Sequence, residues 1–159
     1  NNIVSSSNYR VISGNVLTGS KVTSQPSIGF YDHQICIIPE GNKYKMFGWI
    51  QPGFKKFSIK RAFASNIIPR KNFIINTNFH GGHRSYVVTG EYEKVCPMDI
   101  YPQLLIKAIL TEDIEKMESL GIYEVIEEDL ALCEFVCTSK IEVQSILRKG
   151  LDLLRKEMS

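Results

Sequence analysis

Two stretches of the chain set a cysteine in matching surroundings. The first reads Val95-Cys96-Pro97-Met98-Asp99-Ile100-Tyr101-Pro102-Gln103, and the second Val136-Cys137-Thr138-Ser139-Lys140-Ile141-Glu142-Val143-Gln144. In both, a Val-Cys pair is followed by an Ile and then by a Gln that opens an apolar helical run. In proteins that hold two four-iron clusters, the last cysteine of a ligand run is followed by Pro and then by such a helix. A four-iron cluster needs four thiolates, supplied mainly by closely spaced upstream cysteines. Here Gly90, Glu91, Tyr92, Glu93 and Lys94 precede Cys96, and only Cys133 precedes Cys137. The pattern reads as a scaffold kept after its metal chemistry has gone.

Other groups invite chemical readings. Cys133 and Cys137 share a face if they lie on one helix, but two thiolates are half of a zinc site. Packing in a core is the better reading for free cysteines in apolar company. His80-Gly81-Gly82-His83-Arg84 offers backbone N–H groups and a guanidinium to an anion, yet no helix start follows, so a hairpin turn is favoured. Lys55, Lys56, Lys60 and Arg61 form a basic cluster and a candidate interface with an anionic surface or acidic partner; the alternative is a solvated strand face. Glu127-Glu128-Asp129 suits the start of a helix. The chain shows no nucleophile paired with a base, no P-loop and no dinucleotide fingerprint. No catalytic, cofactor-binding or metal-ligating residue is therefore assigned.

The elements that must carry these residues fall into two parts. The chain has 159 residues, 43% hydrophobic and 23% charged, enough for one ordinary domain or two small ones. Residues 1–94 hold 12 Lys and Arg against 4 Asp and Glu, a net +8, whereas residues 95–159 hold 7 against 13, a net −6. Periodicity changes at the same place. These shifts divide the chain into a polar lead-in (1–8), a β-rich region (9–94) and a helical domain (95–159). No apolar run approaches the roughly 20 residues of a membrane span. The lead-in and the missing initiator Met suggest a piece of a longer protein. Cys36 and Cys133 sit in apolar runs, which argues for free thiols and a reducing cytoplasmic compartment.

In the β-rich region, strands are expected at Tyr9–Ser13, Ile28–Ile38, Lys45–Ile50, Phe57–Phe63, Phe73–Thr77 and Tyr86–Thr89. In the helical domain, Pro97 suits a first turn ahead of Ile100, Leu104, Leu105, Ala108 and Ile109. Thr111 would cap a second helix that ends at Gly121. Leu130–Val136 is a third. Ser139 and Glu142 have the spacing of a capping box ahead of Val143, Ile146, Leu147, Leu151 and Leu154. Gly150 interrupts that last stripe at a cost of about 1 kcal/mol relative to Ala. The four helices read as a small bundle.

These same residues carry a family resemblance. Gly90–Ile100, Leu120–Glu124 and Glu127–Cys137 resemble the C-terminal region of the A subunit of the sodium-translocating NADH:quinone reductases. Arg10–Gly19, Tyr31-Asp32-His33-Gln34, Gly48–Gly53 and Lys56-Phe57-Ser58 fit the same family. The resemblance implies an α+β fold. Residues from about 9 to 55 would be a ubiquitin-like (β-grasp, SLBB-type) part. The helical domain would resemble a degenerate ferredoxin-like cluster domain. It also implies a peripheral subunit on the cytoplasmic side of a bacterial inner membrane. The complex would oxidise NADH, reduce ubiquinone and export sodium ions. Its FAD, FMN, riboflavin and iron–sulfur centre, with the NADH site, would lie in other subunits.

Two functional classes follow. In the first, this chain is a non-catalytic docking part of such a complex, inactive alone. Its partners would be the other subunits, chiefly the membrane-embedded part, with ubiquinone as a further candidate. In the second, it is a self-contained metal or redox-active cysteine protein. Nucleic acid is not expected, because the basic half has neither an arginine-rich run nor a recognised fold signature.

Overall fold

The computed structural model describes residues 9–23, 27–41, 46–48, 50–59, 62–67, 72–73 and 75–159. It is mixed α and β, with a three-stranded antiparallel sheet and four α-helices among the described residues. The chain divides into two compact units, Asn1–His80 and Gly81–Ser159.

The first unit is built on β1 (Tyr9–Ser13), β2 (Ser20–Lys21) and β3 (Ile35–Pro39), in the order β2-β1-β3. β1 pairs with β3 from Tyr9 opposite Pro39 to Ser13 opposite Ile35. Between β1 and β2, the Asn15 side-chain oxygen accepts from the N–H groups of Leu17 (2.7 Å) and Thr18 (2.8 Å). Such a self-bonded Asn makes a tight turn without help from the core. Gly14 takes φ +90° beside it, a conformation that favours glycine.

The long strand expected over Ile28–Ile38 is confined to its second half. Gly29 and Asp32 form a turn, with Asp32 N–H donating to Gly29 O at 3.0 Å. The buried Ser13 hydroxyl locks that turn, donating to the Asp32 carboxylate and accepting from Gly29 N–H at 2.9 Å. Side-chain hydrogen bonds to a local turn thus override β propensity. Across the sheet, the Arg10 guanidinium meets Glu40, with Nε 3.0 Å from Oε2, and holds that carboxyl below its usual range.

Beyond the sheet the first unit is held by turns. Among the described residues of 46–59, 62–67 and 75–80 there is no strand, so the ladders expected there do not form. Gly53 has φ +67° and is packed so closely on Phe63 that a Cβ would lie 2.5 Å from its ring. Ser65 is buried and donates to Lys56 O at 2.5 Å. Lys45, Trp49, Lys60, Arg61 and Ile74, which the expected strands also included, lie outside the described residues, as does the lead-in 1–8.

The second unit is helical. Its helices are α1 (Pro102–Leu110), α2 (Ile114–Ser119), α3 (Ala131–Val136) and α4 (Val143–Glu157). α1 begins at Pro102 rather than Pro97; proline at the first position forfeits no helical hydrogen bond. α2 is capped by Asp113, not Thr111. The Asp113 carboxylate accepts from Lys116 N–H at 3.2 Å, while the Thr111 hydroxyl turns back to Lys107 O at 3.1 Å. The capping box at α4 does not form, because Ser139 donates instead to Ser85 O at 3.0 Å. Residues 86–89 make no strand, and Tyr86 and Tyr92 pack with the helices.

α1 and α4 cross at Gly150. A Cβ there would lie 2.9–3.1 Å from three side-chain carbons of Ile109, which is 6% exposed. The glycine that weakens α4 as a helix is what lets the two helices approach. Overpacking such a contact costs about 1–3 kcal/mol, more than the roughly 1 kcal/mol of helix propensity a side chain would restore. Gly150→Leu is therefore expected to lower the unfolding free energy by about 2 kcal/mol in urea titrations followed by circular dichroism, although leucine is the better helix former.

Candidate functional site

The thiols and two tyrosines of the second unit meet in one core, built by the two loops that precede α1 and α4. The first loop holds Tyr86, Tyr92 and Cys96; Cys133 lies within α3, and Cys137 caps that helix where the second loop begins. Two hydrogen bonds seam the loops: Arg84 N–H to Ser139 O at 2.9 Å, and the Ser139 hydroxyl to Ser85 O. They lay Tyr86 alongside Cys137. A second junction is the carbonyl of Tyr92, which accepts from Val95 N–H (3.1 Å), Cys96 N–H (2.8 Å) and the Cys133 thiol (3.8 Å). It brings Cys96 and Cys133 together, and their thiols face one another.

The tyrosines fill the space between. Their ring centroids are 6.2 Å apart, tilted at 47°. Tyr86 donates to Gln103 O in the first turn of α1 at 3.0 Å. The Gln103 side chain, fully buried, accepts from Gly90 N–H at 3.1 Å. Tyr92 is 2% exposed; its hydroxyl faces the Cys137 thiol and has no hydrogen bond of ordinary geometry among the described residues. Burial pushes both phenols far above their usual pKa. It pushes the Cys133 thiol up to about 12, with Cys96 adding to the shift. A thiol so raised is a poor nucleophile at neutral pH.

The donor set does not fit a four-iron cluster. Thiols stand as one facing pair and one partner to a phenol, and among the described residues no group of three or more His, Cys, Asp or Glu is placed to hold a metal. Cys133 and Cys137 sit in the core, buried at 0% and 2% exposure. Of the acidic group, Asp129 accepts from Ile126 N–H at 3.2 Å and Glu127 pairs with Arg148. Of the basic cluster, Lys55 is exposed, while Lys56 is half-buried, bonded to Gly48 O and 5.3 Å over the Phe63 ring. Lys60 and Arg61 lie outside the described residues. Reading the sequence missed Tyr86, Tyr92 and Gln103. The available signal was spacing: Tyr92 stands before Cys96 as Cys133 stands before Cys137.

Two outcomes follow from this core. An unpartnered buried hydroxyl costs about 1–3 kcal/mol, so Tyr92→Phe is expected to leave the second unit as stable or more so. Tyr92→Ala, which removes the ring, is expected to cost about 3–5 kcal/mol. Urea titrations of both variants check this. Separately, the folded chain holds the Cys133 proton to about 12, while an ordinary thiol gives it up near 9.0. That contribution is complete below pH 9.0 and lost as pH rises toward 12. Stability is expected to fall from pH 9.0 upward, and Cys133→Ala to flatten the fall between 9.0 and 10.0, before ordinary phenols titrate.

No family model matches the chain. Curated proteins do. The A subunit of the Na(+)-translocating NADH-quinone reductase of Rhodopirellula baltica is 43% identical over 149 residues, covering 93% of this chain and 33% of that protein. Its counterpart in Shewanella frigidimarina is 42% identical over 93% of this chain and 34% of its own length. That of Neisseria meningitidis is 42% identical over 93% and 33%. The chain thus spans about a third of the length of the curated relatives it matches. Identity at this level over nearly the whole chain makes it a homologue of one part of the A subunit of the Na+-translocating NADH-quinone reductases.

Proposed function

We propose that this chain is a non-catalytic docking part, C-terminal in origin, of a peripheral subunit in a bacterial respiratory sodium pump. That pump would pass electrons from NADH to ubiquinone and export Na+. Residues from about 9 to 55 would be the β-grasp part, and residues 95–159 a degenerate cluster domain. The flavins, the iron–sulfur centre and the NADH site would be carried by other subunits, on the cytoplasmic side of the membrane. The observation that carries the docking role is the basic composition of the first unit together with its exposed apolar side chains. It holds the whole net +8 of residues 1–94, because Arg84 and Lys94 are matched by Glu91 and Glu93. It also leaves Phe30 92%, Tyr31 84%, Met46 82% and Ile67 83% exposed. Exposed large apolar side chains in a unit of strongly basic composition suit a region that meets a partner. No helix among the described residues is long and apolar enough to cross a membrane, so attachment would rest on such a region.

Lys55, Lys60 and Arg61 are the residues to test, since Lys56 is engaged within the unit. Each cation near an anionic surface contributes about 1 kcal/mol, screened by salt. Reversal of these three to Glu in the full-length protein is expected to weaken its retention on washed membranes, increasingly as salt rises. The isolated chain is expected to keep its circular dichroism and melting. Normal retention and NADH-to-quinone turnover at every salt concentration would move docking to another surface.

A further inference from the structure

The cluster-bearing run has a fixed spacing, C-x2-C-x2-C-x3-C-P, and in two-cluster proteins its fourth cysteine ligates the other cluster. Counting back from Cys96-Pro97 puts Tyr92, Thr89 and Tyr86 at the third, second and first positions. Counting back from Cys137 puts Cys133, Leu130 and Glu127 there. The helices agree with this register. α1 starts at Pro102 and α4 at Val143, equally far from Cys96 and Cys137, and Gln103 and Gln144 occupy the same place in each.

The contacts cross between the runs, as shared ligation requires. The loop around Tyr86 is seamed to Ser139 beside Cys137, and the Tyr92 ring and Cys137 belong to one buried cluster. Cys96 N–H and the Cys133 thiol converge on one carbonyl. At the four positions of the first set stand a half-buried Tyr86, an exposed Thr89, a buried Tyr92 and Cys137. At the second set stand Glu127 paired to Arg148, a fully buried Leu130, Cys133 and Cys96.

We propose that the second unit contains two latent four-iron cluster positions. One is defined by Tyr86, Thr89, Tyr92 and Cys137, the other by Glu127, Leu130, Cys133 and Cys96. Side chains now occupy the place of each cluster, and each position draws its last ligand from the opposite loop. The inference rests on the degenerate-cluster reading of the second unit and not on the docking role, so either fails without the other.

The test restores ligands to the 159-residue chain. Glu127→Cys with Leu130→Cys completes the second position; Tyr86→Cys, Thr89→Cys and Tyr92→Cys complete the first. Each variant is incubated anaerobically with ferrous iron, sulfide and a thiol reductant, and read by visible absorbance, electron paramagnetic resonance after reduction, and iron content. The two-residue variant is expected to gain about four irons per chain. It should lose them on adding Cys96→Ser but keep them on adding Cys137→Ser. The three-residue variant should show the reverse dependence, and the unaltered chain treated alike should stay colourless. Uncrossed dependence, or no cluster in folded variants, overturns the proposal. So does failure of both variants to fold with iron and sulfide supplied, because a matching site would regain structure with its cluster.

Discussion

The second unit depends on the burial of one residue. Tyr92 sits in a stretch, from Gly81 to Tyr101, that has neither helix nor strand. A loop of that length must be anchored by side chains, since no ladder fixes its backbone. Tyr92 anchors it twice. Its ring enters the core between Tyr86 and the thiols, and its carbonyl gathers Val95, Cys96 and Cys133. A buried aromatic ring removes roughly 150–250 Å² from water. At about 25 cal/mol per Å² that is at most roughly 4–6 kcal/mol, a large share of a small unit's stability. The unpaired hydroxyl is a minor debit against that gain.

The helices lean on this anchor and on each other. α2 and α3 have six residues each, too short to persist alone, so packing must hold them. Met117 of α2 and Cys133 of α3 are fully buried, as are Leu105 and Ile106 of α1 and Leu147 of α4. The buried positions of α1 and α4 follow the helical period, which is why these two elements were legible in the sequence. Their first residues were not. Pro97 and Ser139 satisfy local rules for a start, but the chain spends Ser139 on the seam to Ser85 and begins α1 later. A rule about one turn cannot register a partner more than fifty residues away in the chain.

Charge and periodicity shift along the chain without marking a single boundary residue. Charge could not place it, because residues 81–94 are electrically neutral and the split is the same on either side of them. Periodicity misled for a related reason. Tyr86-Val87-Val88-Thr89 has strand composition, yet Val87 and Val88 are exposed and only Tyr86 turns inward. β propensity records fitness for a pleated surface, and here no neighbouring strand supplies one. The same holds after β3, where turns closed by Gly53, Ser65 and Thr77 replace the expected ladders. Of the core around the thiols, the cysteines were visible as buried residues, but the tyrosines were not seen as their companions. Aromatic residues carry no signature that separates a strand face from a plug; only their spacing from Cys96 does.

That plug bears on how the unit is made. A domain organised by a metal cluster folds fully only once iron and sulfide arrive, because metal binding is part of its folding free energy. The core seen here is organised instead by tyrosine rings and aliphatic side chains, which fold by being buried. Its interior also has little to titrate near neutral pH, since burial raises the phenols and the Cys133 thiol together. The core's stability therefore rests on packing and burial rather than on charge.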